Sequence, residues 1–453
     1  MACRRWISLL LMIGVSTICL QFSPLLEVVR AADVLSLDDA IAIAMKNNRT
    51  VQTATMEMEK NDAGIAALRT RRYPQLNLRY TGAQQLTPLD FTFQRGSLGT
   101  ISTGEAIPTT DITISNPKEW GNQGQALVSQ PISQLYRISL EIEQYGLVKN
   151  IAEEQHRNAK TSVINDVRKA YFGILETQSS FKAVTDAIGF YKELVRLMTD
   201  HLQKKTILKA DLLEAKSKLA RARYDATKAE HALSSQKEQL NHLMGRDLST
   251  PFAVSEAMEQ PPLEMDQEAA VETAMKLRPE IREAKLKARQ AEYGMKIKRS
   301  EYIPDVDLVA SYITFPEMQI VPRDYAYAGV RISWEPFDWG RKQQELSEKK
   351  KSMSQAASAV SEAESRVRLD VMQNYRKMRE ADQYLGVARL NQEAARERLQ
   401  VIMDRYKQKS VLFKDLLQTQ AQAAEANHQF HQALLGCLAA KSDFQKALGG
   451  EGI

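Results

Sequence analysis

The sequence predicts a mainly α-helical fold of long coiled-coil helices with a few β-strands, in a chain that carries two copies of one unit. The first observation is composition, because 453 residues contain only 20 Gly and 14 Pro to interrupt helices. The second is a heptad spacing of apolar residues, which is typical of coiled coils. The third is an internal repeat of the whole unit.

The repeat is visible as matching segments at a constant separation. Ala44-Met45-Lys46 returns as Ala274-Met275-Lys276, 230 residues later. Towards the end of each copy, Asp211 and Gly245 match residues 204 positions further on, Asp415 and Gly449. The first copy therefore carries about 25 additional residues between Pro74 and Pro131. We divide the chain into a first repeat at 32–246, a linker at 247–265 and a second repeat at 266–450.

Residues 1–31 are predicted to form a cleaved secretory signal peptide. Arg4 and Arg5 precede an apolar run from Trp6 to Leu20, and small residues permit cleavage after Ala31. An uncleaved anchor is the alternative, but the run is shorter than the roughly 20 residues that a membrane helix needs. Lipidation at Cys19 is a second open alternative.

Each copy is predicted to follow the same order of elements. A helix of about 36 residues begins after an N-cap at Ser36 or Asp266 and ends before Pro74 or Pro304. Two alternating segments follow as strands, then helices of about 66 and about 35 residues. The long helix would measure roughly 100 Å, so the two shorter helices stacked end to end would match its length. The linker is expected to contain one short strand.

The alternating segments are interpreted as membrane strands. Each is near ten residues long, which suits a tilted strand in a bilayer. Four strands cannot close a barrel, whereas three chains would supply twelve. The chain is therefore expected to pool its strands with those of other copies, because open strand edges are not tolerated in lipid. The side chains expected to face lipid are Leu76, Leu78, Tyr80, Val306, Leu308, Val330, Ile332 and Trp334.

Five segments carry a resemblance to a known family. They are Leu37-Asp38-Asp39-Ala40-Ile41, Tyr73-Pro74-Gln75-Leu76, Gln130-Pro131-Ile132, Trp334-Glu335-Pro336-Phe337-Asp338-Trp339-Gly340-Arg341, and Arg405-Tyr406 leading to Asp415-Leu416-Leu417. In order and spacing the chain resembles the TolC family of outer-membrane efflux and secretion channels. The resemblance implies a homotrimer in which a twelve-stranded β-barrel continues into a long α-helical coiled-coil barrel. The β-barrel would lie in the outer membrane of a Gram-negative-type cell, and the helices would lie in the periplasm. It also implies contact with outer-membrane lipid.

The function implied by the resemblance is that of a passive exit duct in a tripartite efflux or type I secretion system. Small molecules and polypeptides are both compatible cargoes. The implied partners are a periplasmic adaptor (membrane fusion) protein and an inner-membrane transporter. The resemblance implies neither an enzyme activity nor a cofactor or metal.

The resemblance also assigns roles at the periplasmic tip. Asp211 and Asp415 match acidic residues of the narrow entrance, although either could simply be a helix N-cap. Tyr406 is expected either to pack in the coiled coil or to act as a latch. The family often has Gly at the tip, where this chain has Lys. The residues expected to turn the tip and contact an adaptor are Lys205, Thr206, Ile207, Lys409, Ser410 and Val411.

Other classes of protein fit the sequence less well. A net charge of +5 is small for a dedicated nucleic-acid binder of this length, and no nucleic-acid partner is expected. Glu425, His428 and His431 share a helical face and have a spacing that could suit a metal ion, but no fourth ligand is evident. A secreted or surface coiled-coil structural protein or adhesin is the main alternative. It explains the signal peptide and the heptads but not the paired strands in both copies.

Overall fold

The computed structural model describes residues 34–84, 86–87, 89–116, 120–204, 208–255, 265–316, 322–408 and 410–450. The predicted signal peptide lies outside these residues. The first copy contains β1 (Val34–Leu35), α1 (Leu37–Asn47), α2 (Arg49–Thr70), β2 (Gln75–Gln84), β3 (Leu89–Phe93), β4 (Ile112–Asn116), β5 (Trp120–Pro131), α3 (Gln134–Gln203) and α4 (Lys209–Leu243). The linker supplies β6 (Ala253–Val254), as expected. The second copy contains α5 (Gln267–Leu277), α6 (Pro279–Ser300), β7 (Asp305–Thr314), β8 (Asp324–Ser333), α7 (Arg341–Lys407) and α8 (Phe413–Leu448).

The first helix of each copy is broken, whereas the sequence predicted one helix of about 36 residues. The predicted N-caps are correct, because the side chains of Ser36 and Asp266 accept hydrogen bonds from the first turns of α1 and α5. The breaks fall at Asn48 and Arg278, whose ψ angles of 127° and 124° are extended. Asn48 caps α2 through the N–H groups of Thr50 and Val51. In the second copy, Pro279 holds the preceding residue extended and opens α6.

Both breaks dock onto the end of the last helix of their copy. The Asn48 side chain donates to the Leu243 carbonyl at 2.7 Å, and Arg278 donates to the Lys446 carbonyl at 3.0 Å. Arg278 also pairs with Asp370 at 2.7 Å. These side chains satisfy carbonyl groups that the ends of α4 and α8 leave free. Each break therefore joins the interrupted first helix of a copy to the end of the last helix of the same copy.

The helices form a layer that is four helices wide. In one half, α3 packs against α4 on one side and α8 on the other, and α7 packs against α8. In the other half, α3 lies between α2 and α6, and α7 packs against α6. Two apolar clusters at repeat-related positions hold the layer together at mid-height. Tyr171 and Leu240 are fully buried in the first cluster, and Val371 and Phe444 occupy the second.

Four long antiparallel strands form a sheet in the order β2-β5-β7-β8. The first copy supplies β2 and β5 and the second supplies β7 and β8, so each copy contributes two strands of 10 or 12 residues. The additional residues of the first copy include a separate hairpin of β3 and β4. In the described part of the chain, we find no helix that combines the length and apolar character needed to cross a bilayer.

Candidate functional site

One face of the long sheet is largely apolar. The strand register aligns Leu78 with Ala126, and Ala126 with Tyr312. It also aligns Leu308 with Val330 and Val306 with Ile332. Side chains on one face of a sheet recur every second residue, so the predicted lipid-facing strand residues share this face. Most are largely exposed in the protomer, Leu78 by 76%.

The opposite face of the sheet is more polar. It carries Asn77, Arg79 and Asp307, which alternate with the apolar residues along β2 and β7. Gln125 donates to the Ser311 hydroxyl at 3.3 Å across β5 and β7. A sheet with one apolar and one polar face can separate lipid from a water-filled lumen.

Aromatic side chains lie at both ends of the apolar face. At the end remote from the helices are Tyr80, Trp120 and Tyr312, and the Tyr80 hydroxyl donates to Asn122 at 2.9 Å. At the helical end, exposed aromatic residues precede β2 and β7 and follow β8. They are Tyr73, Tyr302, Trp334, Phe337 and Trp339. Such rings accumulate where a membrane protein passes from hydrocarbon to headgroups.

The protomer has open edges in both the sheet and the helical layer. The outermost strands are β2 and β8, and among the described residues neither pairs with a further strand on its outer side. The helical layer likewise ends at α7 on one side. Apolar side chains of α7 are exposed there, including Tyr384, Val387 and Leu390. These surfaces are of the kind that other copies of the chain would cover.

The described residues that flank the helical tips have the same backbone conformation in both copies. The C-cap residues of the long helices are Lys204 and Gln408, both with φ of −80° and neither in a left-handed conformation. The next helices begin after Leu208 and Leu412, which are extended. The described part of each tip thus needs no glycine. Lys205, Thr206, Ile207 and Lys409 lie outside the described residues.

Asp211 and Asp415 occupy the third position of their helices, not the N-cap position considered from the sequence. Each carboxylate accepts a hydrogen bond from the backbone N–H of the N-cap leucine, Leu208 at 3.1 Å and Leu412 at 3.3 Å. Both acids are exposed in the protomer. Their carboxylates therefore have a local structural role and remain accessible to solvent.

The remaining described tip residues lie close to these acids. The Ser410 hydroxyl and N–H both donate to the Arg405 carbonyl at 2.9 Å, which closes the end of α7. Val411 is half-buried, and Tyr406 is 37% exposed at the last turn of α7. Ser410 thus supports the turn itself.

The face of α8 that carries Glu425 and His428 borders a groove between α3, α4 and α8. This groove has a volume of about 990 Å³ and is lined by Lys218, Arg221 and Glu425 among others. His428 lines the same groove, while Glu425 accepts a hydrogen bond from Gln429. Within the described ranges, no group of three His, Cys, Asp or Glu residues is arranged to hold a metal ion.

Sequence comparison now decides the family. The profile of the outer membrane efflux protein family matches residues 40–246 and 270–450, which is most of the chain. The chain belongs to the outer membrane efflux protein family. Its place in the outer membrane follows from this membership, and the resemblance noted from the sequence is confirmed.

Individual relatives are distant. The chain is 21% identical over 283 residues to the toluene efflux pump outer membrane protein TtgF of Pseudomonas putida, a match that covers 60% of this chain. It spans about half the length of the curated relatives that it matches, 53% in this case.

Solved structures show the same fold. The CmeC outer membrane channel of Campylobacter jejuni superimposes with a TM-score of 0.74 at 16% identity, over 91% of this chain and 85% of that one. The open state of the MtrE outer membrane channel of Neisseria gonorrhoeae superimposes with a TM-score of 0.68 at 19% identity, over 92% of this chain and 89% of that one. The predicted combination of paired strands and long helices is confirmed, and a surface adhesin is disfavoured.

Proposed function

We propose that three copies of this chain assemble into a passive channel that serves as the outer-membrane exit duct of a tripartite efflux pump. The observation that carries the proposal is the four-stranded sheet with two open edges, β2 and β8. Unpaired backbone groups are not tolerated in lipid, so this sheet must close with other copies. Three copies supply twelve strands and a ring of twelve helices.

The exposed apolar edge of α7 supports the same assembly. Leu390 is 67% exposed in the protomer and lies on the helix that ends the layer. Closure against the next copy would remove such side chains from water and favour association. The exposed acids Asp211 and Asp415 would then converge at the periplasmic end.

A small-molecule cargo is favoured by the relatives. TtgF is named as the outer membrane protein of a toluene efflux pump. Secretion of polypeptides is the broader alternative from the sequence, and no relative that we report is named for it. The duct would work with an adaptor protein at its tips and a transporter in the inner membrane. No catalytic step is required of the chain itself.

A cross-linking experiment tests the closure. We would replace Cys437 by Ala and introduce Tyr80→Cys in β2 together with Ile332→Cys in β8. Two strands separate β2 from β8 within a protomer, and the register sets Tyr80 level with Asp324, eight residues from Ile332 along β8. The two cysteines of one chain therefore lie roughly 30 Å apart. A short bismaleimide added to outer membranes should therefore join neighbouring chains and produce covalent dimers and trimers.

The control joins two strands within one chain. Leu78→Cys and Ala126→Cys occupy directly opposite positions, so they should cross-link without any increase in mass. If the β2–β8 cysteine pair gives only monomers under conditions in which the control pair cross-links, the trimeric barrel would be contradicted. Absence of the protein from the outer membrane would contradict the channel itself.

A further inference from the structure

The groove between α3, α4 and α8 lies where the two copies meet, between the mid-height clusters and the helical tips. Its volume is about 990 Å³, and a cavity of about 280 Å³ adjoins it. Both are lined by Ala183, Asp186, Ala424 and His428. Small side chains such as Ala183 and Ala424 leave this space between α3 and α8. A concave space of this size suits a small organic molecule.

The lining of the groove is particular to one copy. Asp186 and Phe190 of α3 correspond, 204 residues further along the chain, to Leu390 and Ala394 of α7. An acid and an aromatic ring thus stand where the second copy has two aliphatic residues. The duplication of the chain therefore does not account for the chemistry of the groove.

The two bases that line the groove are already paired with acids. Lys218 pairs with Glu214 at 2.9 Å, and Arg221 pairs with Asp225 at 3.2 Å. Both pairs join residues four positions apart on α4, so they form without any contribution from α3 or α8. The charge of these bases is therefore largely balanced within α4 itself.

Two acids of the groove have no such partner. Asp186 on α3 and Glu425 on α8 form no ion pair within the described ranges, and Glu425 accepts a hydrogen bond from the neutral Gln429 amide at 3.1 Å. Lys182 lines the adjoining cavity but not the groove. The groove consequently carries an excess of negative charge between α3 and α8, which favours a cation.

Aromatic rings and an unpaired nitrogen complete the lining. Phe190 and Tyr191 lie edge to face with ring centroids 4.8 Å apart, and both are half-buried. Such rings attract other rings and cations. His428 Nδ1, where the two cavities meet, is shielded from solvent and has no hydrogen-bond partner among the described residues. An N–H donor at this point would offset the free-energy cost of burying that nitrogen.

We propose that this groove binds an aromatic organic cation that carries at least one N–H group. Its ring would pack against Phe190 and Tyr191, its charge would lie between Asp186 and Glu425, and its N–H would donate to His428 Nδ1. A metal ion fits less well, because the described acids and histidines are not arranged to hold one. The site goes beyond the proposed function, since helices of a single chain form it. A bound cation would connect α3 to α8 and stabilise their arrangement.

Binding of proflavine, an aromatic cation with N–H groups, tests the site. Fluorescence anisotropy would follow its titration with the purified protein in a non-ionic detergent, and N-phenyl-1-naphthylamine would serve as a neutral aromatic probe. We expect saturable binding of one proflavine per chain. The double variant Asp186→Asn/Glu425→Gln should bind proflavine on the order of tenfold more weakly, because two charge contacts are lost. Its affinity for the neutral probe should not change.

Two further variants and a folding measurement complete the test. Glu380→Gln/Glu393→Gln removes two exposed acids of α7, outside the groove, and should leave the affinity for proflavine unchanged. Ala424→Leu places a larger side chain where the cavities meet and should abolish binding, while circular dichroism checks that each variant is folded. Equal affinity of all folded variants, or of both probes, would overturn the site. Specific binding by a protein that stays monomeric would leave the site intact and contradict the trimeric channel.

Discussion

At the scale of single residues, helix ends explain much of what the sequence left open. The sequence permits two roles for Asp211 and Asp415, as helix N-caps or as acids of the channel entrance. The structure shows them one turn inside the helix, where they accept a hydrogen bond from a leucine N–H and remain exposed. A capping contact and a charge facing solvent are therefore compatible in one side chain.

Replacing Asp415 with Asn should lower cation preference without destabilising the tip. An amide oxygen still accepts the hydrogen bond from Leu412, whereas the charge is lost. A unit charge about 8 Å from a pore axis contributes on the order of 0.5 kcal/mol in water, so the permeability ratio should fall roughly twofold or more. Reversal potentials across a planar bilayer in a KCl gradient measure this ratio.

The matched control is Asp39→Asn at the start of α1. Asp39 also occupies the third position of a helix and accepts a hydrogen bond from Ser36 at 2.6 Å, but it lies far from the tip. Its replacement should leave selectivity unchanged. An unchanged ratio for Asp415→Asn, together with a less stable protein, would mean that the carboxylate serves the helix alone.

Gly245 should be the most sensitive glycine at the end of a helix. Its φ is 67°, and a Cβ atom there would collide with the Asn47 carbonyl at the break between α1 and α2. A left-handed conformation alone costs an alanine roughly 1–2 kcal/mol. Because the collision adds to this cost, Gly245→Ala should lower the free energy of unfolding by more than that amount. Urea unfolding in detergent, followed by circular dichroism, measures the change.

Gly436→Ala is the control for Gly245. It lies in the interior of α8, where a Cβ atom meets nothing within 4 Å. Alanine favours a helix over glycine by about 1 kcal/mol, so this protein should be equally or more stable. Equal destabilisation of both variants would show that the contact with Asn47 is unimportant.

At the scale of elements, the alternation along each strand gives the sheet one largely apolar face and one more polar face. The register brings the predicted lipid-facing residues of β2, β7 and β8 to one face, although they come from both copies. Their exposure in the protomer is consistent with a membrane surface, because lipid takes the place of a protein core. Whether these residues contact lipid remains a prediction.

Arginine at Leu78 should impair insertion, whereas arginine at the adjacent Asn77 should be tolerated. The two residues point to opposite faces of β2, and an arginine facing lipid near the bilayer midplane costs about 2–4 kcal/mol. The measurement is the yield of heat-modifiable trimer in the outer-membrane fraction. Leu308→Arg and Asp307→Arg repeat the comparison in β7. Similar losses on both faces would contradict the barrel.

At the scale of the whole molecule, the two copies are unequal on the side of the sheet remote from the helices. The first copy carries the β3–β4 hairpin and its connection, with three left-handed glycines at Gly96, Gly99 and Gly104. In a barrel that spans the membrane, the thickness of the bilayer fixes the length of the strands, whereas the loops outside the bilayer can vary in length. We therefore predict that this segment lies on the cell exterior.

Protease added to intact cells should cleave first between Gly96 and Pro117. The products should be two fragments that still assemble, because β2 and β5 on either side remain paired. Immunoblotting of whole and disrupted cells measures the site of cleavage. Cleavage in disrupted cells alone would place the loop in the periplasm and reverse the orientation of the barrel.

The sequence by itself determined the elements whose signals are local and periodic. Heptads predicted α3 and α7, and alternation predicted the four long strands, because each pattern reflects the side of an element that is hidden from water. The repeat predicted that both copies would share one order of elements. Family-level function followed from motifs that these elements carry.

Only the tertiary structure decided how the elements meet. Asn48 and Arg278 break their helices while docking onto Leu243 and Lys446, which are 195 and 168 residues away in the chain. In the sheet, the two strands of the first copy lie side by side, followed by the two strands of the second copy. The copies meet where β5 pairs with β7, so β2 and β8 are the edge strands. A pattern within a single segment carries no information about such distant partners, since their pairing depends on packing free energy summed over the whole molecule.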